Sequence, residues 1–233
     1  MKRWVTILAW VLLGLLLLLP VGVLVCAGFE YRFVPASYPA FAAFTAGVAV
    51  AAAILCGILD EPRAGKLPSL LFAVSLPLSV VNAAFYVQAT NSFWVFLLCL
   101  LCTCACGVSM ILTGRDPSRV TSICAAVVLA IPVLILSFFS LMFGSIGENT
   151  VLRRVDAPGG TSYAEIIDDD QGALGGGTKV SVYAARELDL GILRISPKPR
   201  TVYYGGWGEG ETMTLEWEDG DTLIINGKAY SVP

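Results

Sequence analysis

Cysteine supplies the densest cluster of chemically capable side chains in this chain of 233 residues. Cys99, Cys102, Cys104 and Cys106 fall in one apolar run, and Cys99, Cys102 and Cys106 stand at i, i+3 and i+7, the spacing of one helix face. Thiolates gathered on one face can hold a soft metal ion. Against that, a bare thiolate in hydrocarbon is costly, and no His or carboxylate lies close by in sequence. Cys also packs as a small apolar residue. Packing is therefore the expected role, with Cys99, Cys102 and Cys106 as the soft-metal candidates.

A polar stripe is the second constellation. Ser75, Ser79, Asn82 and Tyr86 recur at i, i+4, i+7 and i+11, with Pro77 in the same run. Such a stripe beside a proline kink can line a solute path, or it can bond neighbouring helices together. Bonding is the expectation, because the apolar runs hold no ionisable group except Cys and Tyr. Ion-coupled transport usually needs a membrane-embedded carboxylate.

The third group is acidic. Glu165, Asp168, Asp169 and Asp170 precede a Gly-rich stretch, and carboxylate oxygens suit calcium. Asp168, Asp169 and Asp170 are the calcium candidates. Their spacing does not match a calcium loop of the EF-hand kind, and successive strand residues point to opposite faces. A solvated turn is the simpler reading. Glu216, Glu218, Asp219 and Asp221 surround a second turn, as charges that keep an edge soluble. Gly177, Thr178 and Lys179 stand in the wrong order for a phosphate loop. Tyr203, Tyr204, Trp207 and Trp217 could form an aromatic surface for sugar or peptide, but aromatic residues more often fill a core. The chain has no His, which removes the commonest general base and metal ligand. No catalytic residue and no cofactor is expected.

The elements that must carry these groups follow from hydropathy. Hydrophobic residues make up 56% of the chain and charged residues only 14%, where soluble domains run near 25%. Five apolar runs, about 4–27, 40–59, 67–89, 93–113 and 120–143, are each long enough to cross a hydrocarbon core of ~30 Å. The last, Val120 to Phe143, joins a membrane part to a soluble one. The first follows the basic Met1 to Arg3 and exceeds the 7–15 residues of a signal-peptide core. Val25 and Ala27 could mark a cleavage site, but a retained helix is expected. Ala43, Gly47 and Ala51 form a ladder of small residues suited to close helix packing, within the chain by default. Phe29 to Pro39 reads as a connecting loop.

Short-loop charges set the orientation. Lys2, Arg3, Arg63, Lys66, Arg115 and Arg119 fall on one side and Arg32 alone on the other, so the N-terminus is expected in the cytoplasm. Aromatic residues from Phe29 to Phe41, and Tyr86, Phe93, Trp94, Phe138, Phe139 and Phe143, gather near the outer interface. Five crossings then leave the C-terminal part outside.

Residues 144–149 read as a linker and 150–233 as a small all-β domain, a sandwich or half-open barrel. Tyr163 to Ile167, Lys179 to Tyr183, Leu193 to Ile195, Thr201 to Tyr204, Met213 to Trp217, Thr222 to Ile225 and Ala229 to Val232 are rich in β-branched and aromatic residues, separated by Gly, Pro, Asp and Asn. Asp219-Gly220 and Asn226-Gly227 predict type I′ hairpin turns, so the last strands form a meander. Residues 1–143 carry seven Lys or Arg against four Asp or Glu. Residues 144–233 carry eight against fourteen, a balance of −6. So acidic a soluble part is a poor partner for nucleic acid, which is held by neutralising its phosphates. All seven Cys precede residue 125, so the soluble part is no disulfide scaffold.

Two segments of the soluble part carry a resemblance. Tyr163 to Gly177, with Asp-Gln-Gly-Ala-Leu-Gly-Gly at Asp170 to Gly176, is one. Trp217 to Gly227, with Asp221-Thr222 ahead of Asn226-Gly227, is the other. Over about residues 160–230 this part resembles small extracytoplasmic β domains of Gram-positive membrane proteins and lipoproteins. The resemblance implies a fold and a bacterial cell-membrane location, and no site residues. The expected function is a membrane-anchored, non-enzymatic interaction or sensing protein. Its partners would be the lipid bilayer and another membrane or envelope protein. A small-solute transporter or accessory subunit is the first alternative, and an enzyme on lipid or envelope substrates the second. Homo-oligomerisation stays open.

Overall fold

The computed structural model describes residues 2–58, 66–90, 92–113, 118–143, 148–170 and 175–232. The chain divides into two compact units, Met1–Val25 with Pro35–Gly144, and Cys26–Val34 with Ser145–Pro233.

The first unit holds five helices: α1 (Lys2–Gly28), α2 (Tyr38–Ile58), α3 (Lys66–Thr90), α4 (Phe93–Thr113) and α5 (Ser118–Phe143). The first four are long and apolar enough to cross a membrane. In α5 the apolar stretch among the described residues, Val120–Ile135, is shorter. The end of the fifth expected run lies outside the described side chains. Helix α4 packs against α2 and α3, and α3 packs against α5. Their shared core draws Leu12 and Leu16 from α1, Ala46 and Ala49 from α2, Phe72 and Leu76 from α3, Cys102 and Cys106 from α4, and Ala126 from α5. The ladder Ala43, Gly47 and Ala51 turns outward, which corrects the expectation that it packs inside the chain. The neighbouring stripe Ala42, Ala46, Ala49, Ala52 and Cys56 faces inward instead. Both stripes are small, so small size alone did not choose the buried face.

The second unit begins earlier than expected. Helix α1 ends at Gly28, Glu30 takes a left-handed φ of 61°, and the chain enters strand β1 (Tyr31–Pro35). The expected loop at Phe29 to Pro39 thus contains a strand. After α5 come β2 (Glu148–Asp156), β3 (Ser162–Asp170), β4 (Gly176–Ala184), β5 (Leu188–Asp189), β6 (Leu193–Pro197), β7 (Arg200–Gly206), β8 (Leu215–Trp217), β9 (Thr222–Ile225) and β10 (Lys228–Ser231). All seven predicted strands have counterparts here. Strand β2 overlaps the expected linker. It is a charged edge strand with a register shift between Val151 and Arg153, so it lacks clean alternation.

The strands form three sheets, ordered β2-β3-β4-β7, β8-β9-β10 and β1-β6-β5. The first two share a core of Ala164, Ile166, Val180 and Val182 against Met213, Leu215, Leu223 and Ile225. The C-terminal meander forms, and Asn226 and Gly227 adopt φ of 50° and 77° as a type I′ turn requires. Asp219-Gly220 does not form one, because neither residue has positive φ. The Asp219 carboxylate instead accepts the Asp221 N–H at 2.9 Å, closing a wider loop.

Candidate functional site

The polar stripe of α3 lies inside the helical unit. Ser75, Ser79, Asn82 and Tyr86 are all buried. The Ser75 hydroxyl donates to the Leu71 carbonyl at 2.9 Å. Ser79 donates to Leu76 at 2.6 Å and meets Thr103 of α4 at 3.0 Å. Asn82 reaches furthest, its Nδ2 donating to the Leu16 carbonyl of α1 at 2.6 Å. The Tyr86 ring meets Tyr38 edge-on at 6.0 Å and leans on Phe41, and among the described residues its buried hydroxyl makes no hydrogen bond within normal geometry.

The target of Asn82 has a backbone cause. Proline has no N–H, so Pro20 of α1 leaves the carbonyl four residues earlier, that of Leu16, without its helical donor. Asn82 supplies the missing donor. Pro77 of α3 does the same to Ala73, and the hydroxyl of Ser122 on α5 donates to that carbonyl. Two proline gaps are thus each filled by a side chain from a different helix, as a backbone without water requires. Sequence reasoning placed Asn82 on the stripe but missed Ser122 and Leu16. The prolines were the available signal.

A groove of about 120 Å³ lies between α3, α4 and α5, lined by Val80, Ala83, Phe96, Cys99, Thr103 and Val133 among others. None of the four stripe residues lines it. Cys99, Cys102 and Cys106 are buried together on one face of α4, while Cys104 is exposed. Among the described residues, no three His, Cys, Asp or Glu side chains converge in a way that could hold a metal.

In the second unit the acidic run separates by face, as strand geometry demands. Asp168 accepts from the Thr178 hydroxyl at 3.4 Å, on the face that carries the core. Asp169 pairs with Lys179 at 3.3 Å on the other face, where Lys179 also donates to Asn149 at 2.7 Å. Asp170 ends the strand, exposed. Asp168, Asp169 and Asp170 are therefore not gathered on one point. On the face of Asp169, the Tyr163 and Tyr183 rings stack at 4.9 Å, with the Arg154 guanidinium 3.6 Å over Tyr163. Partial burial, then the nearby Glu165, raises both tyrosine pKa values above the ordinary one.

The aromatic group also divides. Tyr203 and Trp217 pack against the core, and the Trp217 indole donates to the Val155 carbonyl at 3.1 Å. Tyr204 and Trp207 are 62% and 64% exposed, against the expectation of core aromatics. Strand pairing sets Gly177 opposite Gly206, beside Tyr204. A β-carbon at Gly177 would fall 2.6 Å from the Tyr204 hydroxyl oxygen, and one at Gly176 would fall 2.7 Å from Trp207 Cδ1. The two rings thus rest on bare glycine backbone, which replaces side-chain packing as their support. Alongside, the Tyr203 hydroxyl donates to the Glu209 carboxylate at 2.8 Å, which raises the tyrosine pKa. Sequence reasoning named these rings but did not couple them to the glycines.

No protein-family model, curated protein or solved structure matches this chain.

Proposed function

We propose that this chain is a multi-pass membrane protein that displays its β unit outside the cytoplasm as a non-enzymatic recognition or sensing element. The Tyr204–Trp207 shelf is its contact surface for a protein or other component of the envelope. The observation that carries the reading is the exposure of two large rings held in place by Gly176 and Gly177. Exposed aromatic residues of this kind typify recognition surfaces, where a rigid ring adds contact area at little entropic cost.

Chain connectivity supports five crossings. Strand β1 follows α1, β6 follows α5, and the two are neighbours in one sheet. Paired strands must stand on one side of the membrane, so an even number of crossings separates them. Helices α2, α3 and α4 are each long and apolar enough to cross. The count becomes even when α5 crosses too. The basic short loops then favour a cytoplasmic N-terminus and an outer β unit.

Structural duties of the carboxylates favour recognition over enzymology. Asp168 bonds Thr178, Asp169 pairs with Lys179, Glu209 accepts from Tyr203, and Asp219 closes its own turn. The stripe on α3 bonds helix to helix, which favours a scaffold over a solute path.

The test is photocrosslinking in native membranes from a reactive residue at position 204 or 207, with position 229 as control. The expected result is a discrete adduct at the shelf, lost from the probe at 204 on Trp207→Ala and from the probe at 207 on Tyr204→Ala, in variants whose hydrogen exchange across β3 and β4 is unchanged. Adducts equal to the control, or retained when the other ring is removed, refute the assignment.

A further inference from the structure

The β5–β6 hairpin carries a surface that the recognition shelf does not use. Leu188, Leu190 and Ile192 are 56%, 55% and 66% exposed, three large aliphatic side chains within five residues. A monomeric soluble surface seldom groups such residues without a partner. Three of the charges around them, Glu187, Asp189 and Arg194, are engaged with one another. Arg194 pairs with Asp189 at 3.5 Å and Glu187 at 3.6 Å, and Asp189 also accepts the Gly191 N–H at 2.7 Å. The turn is thus braced from within while its aliphatic side chains point away.

Covalent reach says what lies near this tip. Only Phe29 and Glu30 separate α1 from β1, and only Ala36 and Ser37 separate β1 from α2. Three peptide steps span at most about 10 Å. Both ends of β1 are therefore held close to the ends of two helices that are long and apolar enough to cross a membrane. The Lys198 N–H bonds the Glu30 carbonyl at 2.8 Å, so the start of β1 lies at the end of β6. The Pro35 end of β1 then lies at the Leu193 end of β6, beside the hairpin tip. In the order β1-β6-β5, strands about 4.8 Å apart put β5 about 10 Å from β1. Phe29, on the same tether, is exposed as well.

We infer that the β5–β6 tip, through Leu188, Leu190 and Ile192, dips into the interface of the bilayer that the helices cross. Aliphatic side chains on a braced turn suit the boundary between headgroups and acyl chains, and the exposed Arg186 at its base suits anionic headgroups. The contact would hold the β unit against the membrane surface, with lipid rather than a second protein as its partner. The inference rests on the membrane-crossing reading above.

The test uses the full chain in vesicles of phosphatidylethanolamine and phosphatidylglycerol. A photoreactive diazirine residue is placed singly at position 188, 190 or 192, at position 24 in α1, or at position 229 in β10. All five native residues lie at the protein surface, so the substitutions spare both cores. Lipid adducts at 190 and 192 at least fivefold above those at 229 are expected, with strong labelling at 24. Strong labelling at 24 with the tip at the level of 229 overturns the inference and spares the membrane reading. Adducts joining the tip to a second copy or another protein also overturn it. Absence of lipid adducts at 24 removes the membrane reading itself, and the inference with it.

Discussion

The amide of Asn82 should matter because of a proline on another helix. Its Nδ2 lies 2.6 Å from the Leu16 carbonyl, which Pro20 deprives of a helical donor. Leu16 is 1% exposed, so water does not reach the gap. Leaving a buried carbonyl unpaired costs about 1–3 kcal/mol in soluble proteins. Interhelical bonds measured by double-mutant cycles in a bilayer reach only about 1.7 kcal/mol, since the unfolded state finds partners too. Asn82→Ala should therefore destabilise the native bundle by about 1.5 kcal/mol. Its second bond, to Leu78 at 3.0 Å, adds little, because that carbonyl sits four residues back in the same helix. In a Pro20→Ala background the restored N–H takes the Leu16 carbonyl, and Asn82→Ala should cost only its packing share, about 0.5 kcal/mol. The coupling is then about 1 kcal/mol, near fivefold in the unfolding constant. Reversible unfolding of the four variants in lipid bicelles measures it. Equal costs for Asn82→Ala in both backgrounds would refute the proline-gap reasoning.

Three further outcomes follow from the same structure. Ser122→Ala should weaken the α3–α5 contact by about 1 kcal/mol, and Pro77→Ala should remove most of that effect in the same unfolding assay. Gly210→Ala should destabilise the β unit by about 1–3 kcal/mol through overpacking. Its β-carbon would meet Leu152, Ile166 and Thr178 at 2.6, 3.0 and 3.1 Å, and faster hydrogen exchange in β3 and β4 of the full chain would report it. The β unit should also lose stability in alkali. Tyr163 and Tyr183 titrate above the ordinary 10.0, so the folded state holds protons that the unfolded state releases. Their contribution is complete below pH 10 and fades as pH rises through the raised values. Tyr163→Phe and Tyr183→Phe should each flatten that loss, measured by exchange against pH.

The division of this chain into an apolar helical part and an acidic β part was legible in the sequence, because hydropathy and β-branched patterning are local properties. Long apolar runs can satisfy their backbone only as helices, and Asn226-Gly227 specifies its turn through its own φ values. The alternation of faces along β3 likewise foretold that Asp168 and Asp169 would part company. What local pattern could not carry was the choice among equivalent partners. Ala43, Gly47 and Ala51 look as fit for burial as Ala42, Ala46 and Ala49, and only the neighbouring helices chose between them. Pro20 and Pro77 announce which carbonyls lose a donor, but not that Asn82 and Ser122 would supply one, since those donors lie 66 and 49 residues away in sequence. Tyr204 and Trp207 read as core until Gly176 and Gly177 are set beneath them. Strand β1 is five residues whose partner comes after four more helices, and pairing of that span leaves no trace in local sequence. The sequence determined which segments are helix and most of those that are strand, though not β1 or β2. The tertiary structure decided which faces meet, because burial and hydrogen-bond completion are settled between segments and not within them.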